Sequence, residues 1–192
     1  RDLEARLGCR VFEMPGLPPS VPGIRLHHIL IDAIRNAGGR VEYGMQVIDF
    51  TSKQEAEGGH IEAIWTEAAA RRTPHHASQY VLATGGFLGD GFQTTHDGYT
   101  KEMVFQLPVL NGPPRPDWFS QSFSEPEGQP IFKAGVRVDQ AFLPINAENK
   151  RIYQNVFAIG STLAGGDTLR EASLEGVALG TGFSVAKGLA DS

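Results

Sequence analysis

The stretch NVFAIGSTLAGGDTLREASLEGVALGTG, residues 155–182, places an apolar strand, two glycine-bearing turns and a glycine-studded helix in one short run. Glycine lacks a Cβ and tolerates positive φ, so its backbone N–H groups can lie against a bulky anionic or planar group that other residues would hold off. A second segment, YVLATGGF (80–87), has the same grammar: an apolar strand ends and small residues turn the chain at once. Two such elbows, about 75 residues apart, can meet over one ligand in a layered α/β domain. The later elbow leads to a helix starting near Ser173, whose N-terminus favours negative charge, with Gly176 and Gly180 one turn apart on it. Taken singly, each feature also has a plain packing explanation: glycines bringing a helix tightly onto a strand, or an ordinary strand-to-loop turn.

Bulk properties narrow the classes. A 192-residue chain with 41% hydrophobic and 20% charged residues can bury a sizeable core. A net charge of -5, without a stripe of Lys or Arg, gives no reason to expect nucleic acid. Cys9 is the single cysteine, so this chain alone can hold neither an internal disulfide nor a cysteine-ligated iron–sulfur cluster. Gly176 to Ala186, the longest uncharged run near the C-terminus, is too short to span a bilayer. The N-terminal layout is not that of a signal peptide, and the expectation is a cytoplasmic protein, peripheral at the inner face of the cell membrane at most.

Residues 1–8 read as the end of a helix stopped by Gly8, and the proline-rich 14–23 segment reads as an extended loop. Apolar residues from Leu26 to Ala37 recur at helical spacing, predicting a helix over about 23–37 that Gly38 and Gly39 stop. Strands are expected over 40–52 and 60–67 with a turn at Gly58-Gly59, then a buried strand within 79–86. Residues 87–130, rich in Pro, Gly, Ser and aromatics, suit irregular structure that covers something, and 132–140 restores a strand.

The two elbows, with LPPSVPGIRLH (17–27), Gly38-Gly39 and KAGVRVDQAFLP (133–144), resemble the flavoprotein superfamily of fumarate reductase and succinate dehydrogenase. Within it they resemble most the B subunits of anaerobic glycerol-3-phosphate dehydrogenases. The resemblance covers nearly the whole chain. It implies an α/β fold: part of an FAD/NAD(P)-binding Rossmann-like layer, an antiparallel β meander and a β-rich substrate-side region. The segments would be 1–86 (helix, meander and first elbow), 87–145 (substrate side) and 146–192 (C-terminal strand and helix). The implied activity is oxidation of sn-glycerol 3-phosphate to dihydroxyacetone phosphate. Electrons would pass through FAD or FMN to an iron–sulfur C subunit and quinone, beside a catalytic A subunit, with membrane contact only through these partners. Such flavoproteins open on a GxGxxG strand-turn-helix, which this sequence lacks: GGFLGDG (85–91) has its glycines in another order and GTGFSV (180–185) lacks the last. The chain is therefore expected to be a C-terminal half that binds flavin poorly alone.

The resemblance also assigns residues. Thr84, Gly85 and Gly86 would line the adenosine or phosphate side of the flavin, Gly160 and Ser161 the ribityl and pyrophosphate. The turn with Ser173, Gly176 and Val177 would face the pyrimidine edge, where Glu175 is an awkward neighbour for an anionic ring. Asp167 would hold a ribityl hydroxyl or simply cap the turn after Gly166. Arg170, in the place of a substrate-binding arginine, and Arg25 are candidate clamps for a small anionic substrate, each with a surface reading beside it. His96, next to Asp97, is the candidate base for the hydroxyl proton, or an exposed loop histidine. His27-His28 and His75-His76 lack metal spacing, and no metal site is expected. Two other readings stay open: a fumarate-reductase-like or other FAD oxidoreductase, and a non-catalytic scaffold or electron-relay protein within the same assembly.

Overall fold

A computed structural model describes residues 2–12, 20–56, 58–68, 70–122, 124–167 and 170–191. The chain divides into two compact units, 1–44 and 45–192. In the first, helix α1 (Asp2–Leu7) is followed by Gly8 at φ +65°, the predicted stop. Helix α2 (Val21–Asn36) starts at Ser20, whose Oγ accepts the Gly23 N–H at 3.2 Å, and ends before Gly38 at φ +83°. It is the helix predicted over 23–37, begun two residues early because Ser20 supplies the cap. Most of the proline-rich loop lies outside the described residues.

The second unit opens on an antiparallel three-stranded meander: β1 (Gln46–Glu55), β2 (Gly58–Ala68) and β3 (Arg71–His75). The first strand starts later than the predicted 40–52 because Gly44, at φ +68°, leaves extended geometry. Gly58 and Gly59, expected to form the turn, are instead strand residues. A Cβ on Gly59 would stand 2.9 Å from the Tyr153 ring, so what had looked like turn chemistry is close packing. The meander is joined to the core by Asn155, 1% exposed. Its Oδ1 accepts the Ile61 N–H and its Nδ2 donates to the Ile61 carbonyl, both at 2.9 Å.

At the centre, β4 (Tyr80–Leu82) pairs in parallel with β9 (Val156–Ala158). Between them in sequence lie two short pairs, β5 (Phe92–Thr94) with β6 (Thr100–Glu102) and β7 (Val109–Leu110) with β8 (Gly135–Val136), and 3-10 turns. The strand predicted over 132–140 shrinks to β8, since Pro130–Lys133 forms a 3-10 turn. The 87–130 region is mostly irregular, as expected, apart from the β5–β6 hairpin and β7. Ile61, Leu82, Leu107, Val136, Val156 and Ala158 form the core, with Phe105 edge-on to Phe50 and Tyr80. Glu102 is fully buried beside this cluster; its carboxylate accepts N–H groups of Val104 at 2.6 Å and Phe105 at 2.7 Å, and burial pushes its pKa above the usual range. Helix α3 (Leu174–Ala190) closes the chain. Among the described residues no helix is long and apolar enough to cross a membrane, and no group of three metal-ligating side chains forms.

Candidate functional site

Apolar β-branched and aromatic residues make β4 and β9 a parallel pair, and both chains turn on glycine immediately beyond the pair. Gly85 has φ +79° and Gly160 φ +66°, a region costly for any residue with a Cβ. Ile159 N–H donates to the Leu82 carbonyl at 3.1 Å, carrying the pairing up to the elbows. Beyond it the two turns touch: the Thr162 hydroxyl reaches the Gly85 carbonyl at 3.4 Å, and a Cβ on Gly86 would stand 2.9 Å from the Ser161 carbonyl oxygen. Turns leaving adjacent parallel strands at their carboxyl ends form the usual ligand crevice of open α/β sheets.

A cavity of about 250 Å³ lies against these turns, lined by Gly86, Phe87, Ile131, Phe132, Ser161 and Leu174 among others. It is apolar-walled, with backbone and one hydroxyl exposed at the elbow side. Its size sits just below the ~300–1,000 Å³ of whole-ligand pockets, so it suits one portion of a dinucleotide. On residues next in sequence to the elbow glycines Gly85 and Gly166, though outside the cavity's lining, two buried polar atoms have no partner among the described residues, Thr84 Oγ1 and Asp167 Oδ2. Both belong to residues that the flavoprotein resemblance assigns to the cofactor, and orphaned buried polar atoms are costly unless a ligand engages them. Asp167, 5% exposed, does cap the turn: its Oδ1 accepts the Arg170 N–H at 3.0 Å, leaving Oδ2 unengaged. Its two readings are thus compatible, one for each oxygen.

Helix α3 is tied to the elbow by Thr181, whose Oγ1 accepts the Gly160 N–H at 2.9 Å and donates to the Val177 carbonyl at 2.7 Å. Leu174 at its start faces the cavity. Ser173 precedes the helix without capping it; its hydroxyl donates to Glu171 at 3.3 Å. Gly176 and Gly180 have open space where a Cβ would be, so they are not the tight-packing glycines of the plain reading. The glycine that does meet a neighbour is Gly182, 3.7 Å from Ile159.

The structure therefore gathers Thr84, Gly85, Gly86, Gly160, Ser161 and Asp167 at one place, with Ser173 and Val177 at the adjoining helix start. Of the candidate catalytic residues in this unit, neither Arg170 nor His96 lines the cavity. Arg170 makes a surface ion pair with Glu127 at 3.8 Å, its side chain 49% exposed. His96 is exposed at the tip of the β5–β6 hairpin, in a second hollow of about 500 Å³ that Asp97, Arg115 and Trp118 also line; no hydrogen bond joins His96 to Asp97 among the described residues. Arg25 lies on α2, in the first unit. Sequence reasoning missed the walls: Phe87, Ile131 and Phe132 at the cavity, Arg115 and Trp118 at the hollow. The aromatic richness of 87–130 was the available signal, but only the fold tells which rings meet, as Phe87 and Trp118 do at 5.1 Å.

Comparison with known proteins shows the family. The family model described as FAD binding domain matches residues 2–177. The B subunit of a probable anaerobic glycerol-3-phosphate dehydrogenase of Halobacterium salinarum is 33% identical over 191 residues, 99% of this chain and 43% of that protein. The B subunits of the anaerobic glycerol-3-phosphate dehydrogenases of Aliivibrio fischeri (28% over 195 residues, 98% of this chain and 42% of that protein) and Vibrio vulnificus (31% over 184 residues, 96% and 40%) are similar in the same way. The chain thus spans about two-fifths of the length of these curated relatives. No solved structure matches it.

Proposed function

Because this chain belongs to the FAD-binding domain family, we propose that it forms part of the flavin site in the B subunit of an anaerobic glycerol-3-phosphate dehydrogenase. The reaction is oxidation of sn-glycerol 3-phosphate to dihydroxyacetone phosphate, with electrons leaving to an iron–sulfur partner and then quinone. The observation that carries this reading is the meeting of the two glycine elbows on the parallel β4–β9 pair, with a cavity against them. When bound, FAD supplies a two-electron acceptor for the hydrogen on the alcohol carbon. The chain's own residues would hold and shield it: the Gly85–Gly86 and Gly160–Ser161 backbone would lie against the cofactor, Thr84 and Asp167 would offer it hydroxyl and carboxylate partners, and Phe87 and Phe132 would keep water out. His96, in the outer hollow and outside the lining of the elbow cavity, is the residue we assign to the substrate's hydroxyl proton. A catalytic A subunit and an iron–sulfur C subunit complete the assembly, at the cytoplasmic face of the membrane.

A second reading, a scaffold or relay protein without its own flavin chemistry, draws on the exposure of His96 and Arg170 outside the lining of the elbow cavity. One experiment separates the two. This chain is purified alone and joined to the further sequence its longer relatives carry, the absorbance near 450 nm is recorded, and any released cofactor is identified by mass. FAD retained in the longer protein, with glycerol 3-phosphate oxidation coupled to a dye acceptor, is the expected result. No flavin in either form overturns the proposal and leaves the scaffold reading.

A further inference from the structure

The parallel pair at the centre has one edge met and one edge open. On the side of β9 away from β4, Ala158 N–H donates to the Phe142 carbonyl at 3.0 Å. On β4, Tyr80 N–H donates to the Asn155 carbonyl at 2.8 Å and the Leu82 carbonyl accepts the Ile159 N–H at 3.1 Å, so both residues face β9. Backbone groups alternate sides along a strand, and those of Val81, between the two, therefore face the other way. Among the described residues no strand or isolated bridge meets β4 there.

The faces of the pair are as unequal as its edges. Tyr80, Leu82, Val156 and Ala158 point into the core, whereas Val81 is 45% exposed and its register partner Phe157 is half-buried. Strands of parallel sheets are ordinarily covered on both faces. The outer edges of the meander are guarded against further pairing: β1 carries two register shifts and Lys53, and β3 carries two arginines and Pro74. The edge of β4, Tyr-Val-Leu, has no charge, proline or bulge.

Helix α3 shows the same lack of cover. Its 17 residues include only two charged ones, Glu175 and Lys187. One side meets the second elbow through Thr181 and Gly182, while Leu179 and Phe183 are each 70% exposed. A helix that is apolar all round is one that packs all round.

We propose that the open edge of β4 and the outer face of α3 dock the further sequence of the longer B subunits, which adds an apolar strand beside Val81 and a layer over Leu179 and Phe183. More than half of each of those relatives lies beyond the part that this chain matches, enough for both elements. A second copy of this chain is the poorer occupant. An edge three residues long holds little by itself, whereas a segment of the same polypeptide meets it at high effective concentration. The inference rests on strand pairing, packing and the length of the relatives, and it stands apart from the flavin reading.

Both surfaces are tested in the longer protein, this chain joined to that further sequence. Hydrogen exchange at single-residue resolution compares the amide of Val81 with those of Tyr80 and Leu82, whose bonds to β9 make them internal standards. Val81 is expected to exchange at least about tenfold more slowly than an unstructured amide. Less protection than that, with its neighbours protected, overturns the added strand. To identify the occupant, Phe183→p-benzoylphenylalanine is photolysed and the linked peptides are read by mass. Linkage to a peptide outside the 192 residues, in a monomeric species, is expected. Linkage only within these residues, a species of twice the mass, or no linkage overturns the occupant. Flavin absorbance is recorded on the same samples. Flavin absent with both surfaces covered defeats the flavin reading alone; flavin present with Val81 and Phe183 open defeats the docking alone.

Discussion

The side-chain amide of Asn155 pairs with both backbone groups of Ile61, across 94 residues of sequence and in a site closed to water. In effect Asn155 extends the β2 edge by one strand-like partner, and it stands immediately before β9. The position of the second glycine elbow is therefore tied to the meander through this side chain, beside the backbone bonds of Gly59 N–H to the Ile152 carbonyl and Gln154 N–H to the Gly59 carbonyl.

Asn155→Ala strands the Ile61 N–H and carbonyl in the core. Leaving buried polar groups unpaired costs about 1–3 kcal/mol each, so a loss of at least about 2 kcal/mol is expected in urea unfolding. A change below about 0.5 kcal/mol would show that the amide is dispensable.

Gly86 and Gly180 should respond oppositely to alanine. A Cβ at Gly86 meets the Ser161 carbonyl at 2.9 Å and must push the elbows apart, whereas one at Gly180 meets nothing. Gly86→Ala is expected to lower stability and flavin retention together. Gly180→Ala should raise the stability of this chain by up to about 1 kcal/mol through helix propensity. Thermal melts of the two variants check both signs.

Glu102 gives a pH signature. Burial raises its folded pKa above the ordinary value of 4.5, outweighing the N–H groups of Val104 and Phe105 that favour the charged form. The folded state thus binds its proton more tightly than the unfolded chain does. Its contribution is fully present below pH 4.5 and is lost as pH rises through the raised value. Glu102→Gln should flatten the fall in unfolding free energy on the alkaline side of pH 4.5, measured by urea titration from pH 4 to 8. An unchanged slope would place the titration elsewhere.

Arg170→Ala should cost little stability, about 0–1 kcal/mol, since its ion pair with Glu127 is long and exposed. If Arg170 also clamps substrate, the same variant raises KM for glycerol 3-phosphate with kcat nearly unchanged. Steady-state kinetics of the longer protein decide this, and an unaltered KM leaves Arg170 as a surface residue.

Local order was legible where short-range rules govern it. Ser20, Gly8 and Gly38 marked helix ends because caps and left-handed stops act within a few residues. The elbows at Gly85 and Gly160 were visible because positive φ and strand endings leave their mark in composition. Gly58 and Gly59 were misread for the same reason: two adjacent glycines look alike whether they turn a chain or make room for Tyr153, nearly a hundred residues away.

By itself the sequence determined that this is an α/β chain with two glycine elbows, a C-terminal helix behind the second and flavoprotein kinship, all properties of local patterns. Only the tertiary structure decided that β4 and β9 lie side by side, that Thr84 and Asp167 bury oxygens without a partner among the described residues, and that Arg115 rides on Trp118. Those facts depend on parallel pairing and side-chain packing between residues distant in sequence, and no short-range rule encodes which distant partner a strand or a ring will meet.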